Sequence, residues 1–281
     1  MQVAKTIAEL RRWRATAPLP MGFVPTMGYL HEGHLSLVRR ACAENVSVIV
    51  SIFVNPTQFG PHEDFQSYPR DLERDLGWLG HTGADAIFTP SVDEMYPAGV
   101  STFVEVAGLS SILEGASRPG HFRGVATVVS KLFHVVEPQR AYFGEKDFQQ
   151  LRLVQHMVGD LLMPIEVIGC ATIREPDGLA MSSRNVYLHA AERQAASSLS
   201  RALFAAQARA KAGEGDATRL HALVHDLIEQ EPLVRIDYVA VVHPHTLQPV
   251  TTIGPEGAQI CLAVWIGNTR LIDNVHVPGG G

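Results

Sequence analysis

The strongest constraint on this chain is an alternation: through the first two thirds of its 281 residues, short β-rich apolar runs are separated by stretches with helical spacing. Met21 to Val24 reads as a strand. Gly33 to Glu44 reads as a helix, with Leu35, Leu37, Val38 and Cys42 on its buried side, and Val46 to Val54 as another strand. The pattern continues with a helix over 71–81, strands at 86–88 and 102–106, and a helix within 125–136. A strand at 141–143, a helix over 148–162 and a strand at 165–168 complete it. Strands that alternate with helices pair in parallel and are covered on both faces, so the expected fold is α/β, a Rossmann-like doubly wound sheet. Ligands of such sheets sit beyond the carboxyl ends of the strands.

The run Arg174-Glu175-Pro176-Asp177-Gly178 breaks regular structure, and the pattern changes after it. Helices over 190–212 and 217–229 are followed by extended runs at 236–242, at 259–265 and near Leu271. This reads as a smaller C-terminal α+β domain. The expected domains are therefore 1–175 and 176–281, and the Gly279-Gly280-Gly281 tail is expected to fray.

Charge and cysteine usage narrow the function. With 23 Lys and Arg against 29 Asp and Glu, the net charge is −6, which leaves no basic field to hold nucleic acid or an anionic membrane. Any phosphate must be bound locally. Cys42, Cys170 and Cys261 are odd in number, far apart and without C-x₂-C spacing, which fits a reducing cytoplasm rather than a zinc or disulfide framework. Met1 to Leu10 has no signal-peptide core, and no run approaches a membrane span, so a protein neither exported nor inserted is expected.

Several segments could carry chemistry. Pro25-Thr26-Met27-Gly28-Tyr29-Leu30-His31-Glu32-Gly33-His34 lies where a strand passes into a helix. Backbone N–H groups and the positive end of the helix dipole favour an anion there. His31 and His34, three apart, can project from the same side of the first turn. They read equally as a helix cap and a surface residue; a zinc site would need a third ligand and another spacing. Asn55-Pro56-Thr57-Gln58 follows a second strand and offers amide donors and acceptors for hydroxyls and a carboxylate, but Asn-Pro is also a plain turn signal.

Phe143-Gly144-Glu145-Lys146-Asp147 occupies a third strand-to-helix junction. Lys146 could neutralise phosphate, although the segment is not a G-x-x-x-x-G-K-[ST] loop; the alternative is a helix start capped by Asp147. Met181-Ser182-Ser183-Arg184 could wrap a polyphosphate, and a bare Ser-Ser-Arg is also common. The Gly-rich run 115–124, read as a turn, carries Arg118 and Arg123 for an anion clamp or a subunit contact. Arg11-Arg12-Trp13-Arg14 and Arg39-Arg40 read as solvated helix faces.

Taken in order, these segments resemble the pantothenate synthetase family, the pantoate–β-alanine ligases of the class I aminoacyl-tRNA-synthetase-like nucleotidyltransferase superfamily. The markers are P-T-M-G-x-L-H-x-G-H at 25–34, S-I-F-V-N-P-x-Q-F at 51–59, E-G-A-S-R-P-G-H-F-R-G-V at 114–125, F-G-E-K-D-F-Q-Q at 143–150 and D-G-L-A-M-S-S-R-N at 177–185. The resemblance covers essentially the whole chain. It implies that ATP and (R)-pantoate form pantoyl adenylate and pyrophosphate, after which β-alanine displaces AMP.

By that likeness ATP would be bound by Met27, Gly28, Tyr29, Leu30, His31, Glu32, Gly33 and His34, by Gly144, Glu145, Lys146 and Asp147, by Ile173, and by Met181, Ser182, Ser183 and Arg184. His34, Lys146 and Arg184 would be catalytic, and Gln58 and Gln150 would bind pantoate, with Gln58 also bordering the β-alanine site. Tyr68, Met95 and Arg118 would close or line the pocket. The 181–184 segment would be the counterpart of the synthetase K-M-S-K-S loop; it lacks that loop's first lysine and ends in arginine, as is usual in the ligase family. Mg²⁺ would bridge the ATP phosphates with no protein-held metal, and the family forms homodimers. Two rival readings are an adenylyltransferase of the same superfamily and a non-catalytic nucleotide-binding regulator.

Overall fold

The computed structural model describes residues 1–61 and 63–279; Gly280 and Gly281 of the glycine tail lie outside them. The chain divides into two compact units. The first comprises Met1–Glu145 and Gln150–Ala171, the second Lys146–Gln149 and Thr172–Gly281.

The first unit is built on β1 (Gln2–Ala4), β2 (Met21–Thr26), β3 (Ser47–Ile52), β4 (Ala86–Phe88), β5 (Arg140–Gly144) and β6 (Glu166–Cys170). Their order is β1-β4-β3-β2-β5-β6, and every pairing is parallel. Leaving β1 aside, this is the doubly wound order, with the switch point between β2 and β5. Ser47 to Val50 are all buried, as befits a parallel strand covered on both sides. β2 pairs with β5 only at Gly22 and Phe23, so the two strands part toward their carboxyl ends. Pro25, which has no N–H to donate, lies beyond that shared ladder.

Helices α1 (Ile7–Arg14), α2 (Glu32–Glu44), α3 (Leu72–Leu79), α4 (Val92–Met95), α5 (Glu114–Ser117), α6 (His121–Val136) and, from Gln150 onward, α7 (Phe148–Asp160) complete this unit. Alternate residues of β2 serve opposite faces: Val24 joins Leu37, Val38 and Ala41 of α2 in one cluster, while Phe23 meets Phe133 of α6 edge-on at 6.3 Å.

Three local expectations change. Residues 102–106 form no strand; the Val104 N–H donates to Thr127 Oγ1 on α6 at 2.9 Å, so an extended segment finds a side-chain partner instead of a ladder. The Gly-rich run 115–124 is not one turn, because His121 to Gly124 already belong to α6. A Cβ on Gly124 would lie 2.3 Å from the Thr57 carbonyl oxygen, so this glycine permits a close approach. Finally, β1 arises where no element is expected, and the helix whose face was read at Arg11 to Arg14 already begins at Ile7, where Thr6 and Glu9 form a reciprocal capping box.

The second unit holds α8 (Ala190–Lys211), α9 (Ala217–Glu229) and an antiparallel meander of β7 (Val234–Val242), β8 (Ala258–Ile266) and β9 (Thr269–Val277). One face of the meander, with Ile260, Leu262, Val264, Leu271 and Val275, packs with Leu199, Leu203, Leu220 and Val224 of the helices. The central strand β8 is apolar at nearly every position and buried almost throughout, as its place between β7 and β9 requires.

Candidate active site

In the first unit the turn from β2 to α2 uses most of its own N–H groups. Thr26 Oγ1 donates to the Ser51 carbonyl at 2.7 Å and accepts from Gly28 N at 3.2 Å. Gly28 is left-handed at φ 80°, and Tyr29 follows at φ 48°. The N–H groups of Tyr29 and Leu30 donate to the two oxygens of Asp75 on α3, at 2.7 and 2.8 Å. Burial pushes the Asp75 carboxyl up, while those two N–H bonds and Arg74 pull it back; the balance is a rise. Arg74 itself donates to the Leu30 carbonyl and lies over the Tyr29 ring. Leu30 anchors the turn by burying its side chain in the core.

The two histidines close the turn. His31 Nδ1 accepts from Gly33 N at 3.2 Å, His34 Nδ1 accepts from His31 N at 3.3 Å, and the ring centroids lie 4.0 Å apart. An Nδ1 that accepts an N–H places the proton of a neutral imidazole on Nε2. Both rings therefore carry an Nε2–H donor. This modifies the expectation of a turn rich in backbone donors: the N–H groups of Gly28, His31 and Gly33 serve the turn itself, those of Tyr29 and Leu30 go to Asp75, and the histidine side chains supply Nε2–H donors. Glu32 is exposed and pairs with Arg39.

Gln58 is buried, at 8% exposure, and tied to this turn: its Nε2 donates to Met27 Sδ at 3.1 Å. Its Oε1 accepts from Asn55 Nδ2 at 3.1 Å. Asn55 is the hub, since its Nδ2 also reaches the Gly124 carbonyl and its Oδ1 accepts from Thr57 and Tyr96. The Gln58 carbonyl accepts from His121 Nδ1 at 2.8 Å and from Arg118 Nη2 at 3.4 Å. Because Arg118 Nη1 can only donate to His121 Nε2, 3.2 Å away, the imidazole is neutral with its proton on Nδ1. Burial and the Arg118 charge push His121 down to about 4. Burial raises the Glu63 carboxyl, but the two Arg118 bonds outweigh it and hold it below its usual range. Arg118 is thus engaged in a forked pair with Glu63. Tyr68 and Met95 are both buried, Tyr68 against Phe59.

Gly144 closes β5 beside Cys170, and Glu145 begins the short turn leading into α7. Gln150 sits half-buried in the first turn of α7. Lys146 and Asp147, the next two residues of the turn, belong to the second unit, with Lys146 Nζ 3.7 Å from an Asp147 oxygen. The Lys146 carbonyl accepts from Asn274 Nδ2 at 2.8 Å.

In the same unit, residues 173–181 form a small hairpin. Met181 N donates to the Ile173 carbonyl at 3.0 Å, which brings two of the expected ATP residues side by side. Asp177 and the left-handed Gly178 make its tip, and Leu179 docks in the core. Arg174 grips Asp273 through two bonds of 2.7 and 2.9 Å. Ser182 then caps the short helical turn Ser183–Tyr187, accepting from Arg184 N at 3.3 Å; Ser183 is buried and Arg184 half-buried.

The sequence did not single out Asp75, Asp273 or Asn274, each of which fixes a candidate segment far away in the chain. A single buried carboxylate on a short amphipathic helix leaves no local signal.

An open parallel sheet whose switch-point strands run on into an imidazole turn and a lysine-bearing turn defines a class: Rossmann-like α/β proteins with anion-favouring turns after the central strands. A family model described as pantoate-beta-alanine ligase matches residues 2–276, and the chain belongs to that family. A pantothenate synthetase of Herpetosiphon aurantiacus is 58% identical over 98% of this chain and 99% of its own. One from Chloroflexus aurantiacus is 54% identical over the full length of both. The crystal structure of pantothenate synthetase from Thermus thermophilus matches at a TM-score of 0.95 and 52% identity, covering 99% of this chain and 100% of that one. The pantoate-beta-alanine ligase from Francisella tularensis, complexed with beta-gamma ATP and beta-alanine, matches at a TM-score of 0.81 and 36% identity, covering 98% and 97%.

Proposed function

We propose that this chain is an ATP-dependent ligase that condenses (R)-pantoate with β-alanine to pantothenate. A pantoate carboxylate oxygen attacks the α-phosphorus of ATP, the bond to the β-phosphate breaks, and pyrophosphate leaves. The β-alanine amine then attacks the acyl carbon, the bond to AMP breaks, and the amine nitrogen loses a proton. The adenylate step turns a poor acyl donor into a mixed anhydride with a good leaving group. The site must hold two anions together and exclude water.

The observation that carries this reading is the contact between the buried Gln58 amide and Met27 of the histidine turn. It joins a group suited to hydroxyls and a carboxylate to one suited to phosphate. In this reading Met27 to His34, Gly144 to Asp147, Ile173 and Met181 to Arg184 bind ATP, and Gln58 and Gln150 bind pantoate. His34 donates to the phosphates and stabilises charge as pyrophosphate departs, assisted by His31. Lys146 contributes a compact positive charge, and Arg184 a planar fork. Residues 1–175 would be the ATP- and pantoate-binding domain and 176–281 the smaller domain, although residues 146–149 and 172–175 group with the second compact unit.

Mg²⁺ would arrive on the phosphates of ATP, neutralising charge there. Imidazole Nε2–H groups and Lys146 suit phosphate oxygens and leave cation binding to the nucleotide. Free thiols at Cys42, Cys170 and Cys261 suit a reducing cytoplasm. No described helix is long and apolar enough to cross a membrane. A homodimer carries over from the family likeness, and sedimentation velocity checks it.

The decisive experiment is incubation with ATP, Mg²⁺ and pantoate, with and without β-alanine, followed by mass analysis. The ligase gives the adenylate alone, then the amide and AMP when the amine is added. An adenylyltransferase would retain AMP in a dinucleotide-like product, and a regulator would turn nothing over.

A further inference from the structure

Two consecutive residues of β9, Asp273 and Asn274, are buried and point to opposite faces of the second unit's sheet. Asp273 is in phase with Leu271 and Val275 on the face that packs against the helices. There it takes both bonds from Arg174, whose Nη1 also reaches the Gly178 carbonyl at 3.0 Å. Asn274 faces the other way and donates to the Lys146 carbonyl. The two residues are also joined directly, because Asn274 N donates to Asp273 Oδ1 at 2.7 Å and Arg174 Nη2 reaches the Asn274 carbonyl at 3.4 Å.

The polarity of this arrangement is imposed from the Lys146 end. A carbonyl only accepts, so Asn274 must turn Nδ2 toward it. Its Oδ1 then faces Gln259, which must present Nε2, at 2.6 Å. Gln259 Oε1 is thereby turned to a buried position with no partner among the described residues. Reversing the Gln259 amide would set two oxygens against each other. A buried acceptor left over in this way calls for an explanation. Here it is the far end of a relay whose near end fixes a backbone carbonyl.

We propose that Asn274, oriented by Gln259, is a positioning residue for Lys146, and that the Asp273–Asn274 pair sets the Lys146 turn and the 173–181 hairpin on one common support. The inference rests on the ligase reading for the role of Lys146, and on the hydrogen bonds alone for its placement. Asn274 acts through the backbone of its neighbour and touches no reacting atom.

Two measurements on the full chain test it, using Asn274→Leu, which keeps the volume and removes the donor, and Gln259→Leu, which removes only the orienting group. The first is hydrogen–deuterium exchange of the ligand-free protein. The amides of residues 146–149 should exchange about fivefold or more faster in Asn274→Leu, with the α8 amides unchanged. The second is pantoate-dependent ATP–pyrophosphate exchange, in which the KM for ATP should rise about 10-fold and that for pantoate less than about twofold. In a Lys146→Ala background the same substitution should cost less than about twofold more, because its effect passes through the lysine. A purely structural asparagine would add its full loss in both backgrounds, and that result, or unchanged amide exchange at 146–149, overturns the proposal. If the unaltered protein shows no pantoate-dependent exchange, the ligase reading falls, and the hydrogen-exchange arm still decides the positioning claim. Should Asn274→Leu fail to fold, Gln259→Leu carries both measurements with a smaller expected effect.

Discussion

The histidine turn of the first unit and the 173–181 hairpin of the second are held in different ways. The turn is bound to itself by reciprocal His31 and His34 caps, and to α3 by one carboxylate that accepts two N–H groups. The hairpin has a backbone ladder of its own, and its anchor is a forked ion pair to a strand near the end of the chain. In the first case charge orders backbone; in the second it orders a whole segment. The first should therefore be broken locally, with activity lost before stability, and the second globally.

The largest effect expected is on the hairpin. Arg174→Ala leaves Asp273, 1% exposed, as a buried carboxylate without its cation, at a cost of about 3 kcal/mol or more. Denaturant unfolding should show the loss, and Arg174→Lys should recover only part of it, since an ammonium cannot make the fork. An unchanged midpoint for Arg174→Ala would remove the contrast between the two regions.

On the turn, His34→Ala should lower pantoate-dependent ATP–pyrophosphate exchange by about 10²-fold, the scale of a lost oxyanion donor, with little change in unfolding midpoint. Normal exchange in that variant would mean the imidazole is only a cap.

Next in size is His121. Its folded value of about 4 is below the ordinary 6.5, so the unfolded chain binds the extra proton first. The stability this neutral ring contributes is complete above about pH 6.5 and is lost as pH falls toward 4, on the order of 2 kcal/mol. Unfolding followed from pH 7 to 4 should be less steep in His121→Asn than in the unaltered chain. Parallel curves would show that the ring is protonated in the folded state.

The smallest effect expected is at Asp75. Asp75→Asn keeps the shape but offers one acceptor to two N–H groups, so the KM for ATP should rise by about 10-fold while the chain still folds. If pantoate suffers equally, Asp75 supports the core rather than the turn.

Much of this was legible in the sequence. The β-α alternation is local, and it implies a parallel sheet covered by helices; the strand order became visible only in the structure. The segments 25–34 and 177–185 stand out as motifs, and the histidine cap of the first is a local feature of its own sequence. What was hidden depends on partners distant in sequence. β1 has three residues and exists because β4 offers it an edge. Gly124 looked like a turn glycine because its true reason, the Thr57 carbonyl, is 67 positions away along the chain. Asp75 and Asn274 belong to unremarkable polar positions until the N–H groups of Tyr29 and Leu30 and the carbonyl of Lys146 are placed against them.

The backbone passes between the two units at residues 145/146, 149/150 and 171/172. A part traversed three times cannot be grafted or exchanged through a single junction. Any chimera joined only near residue 172 would inherit a lysine turn from one parent and the asparagine beneath it from the other. Compatibility at that one hydrogen bond, rather than the choice of fusion point, would then govern whether such a hybrid works.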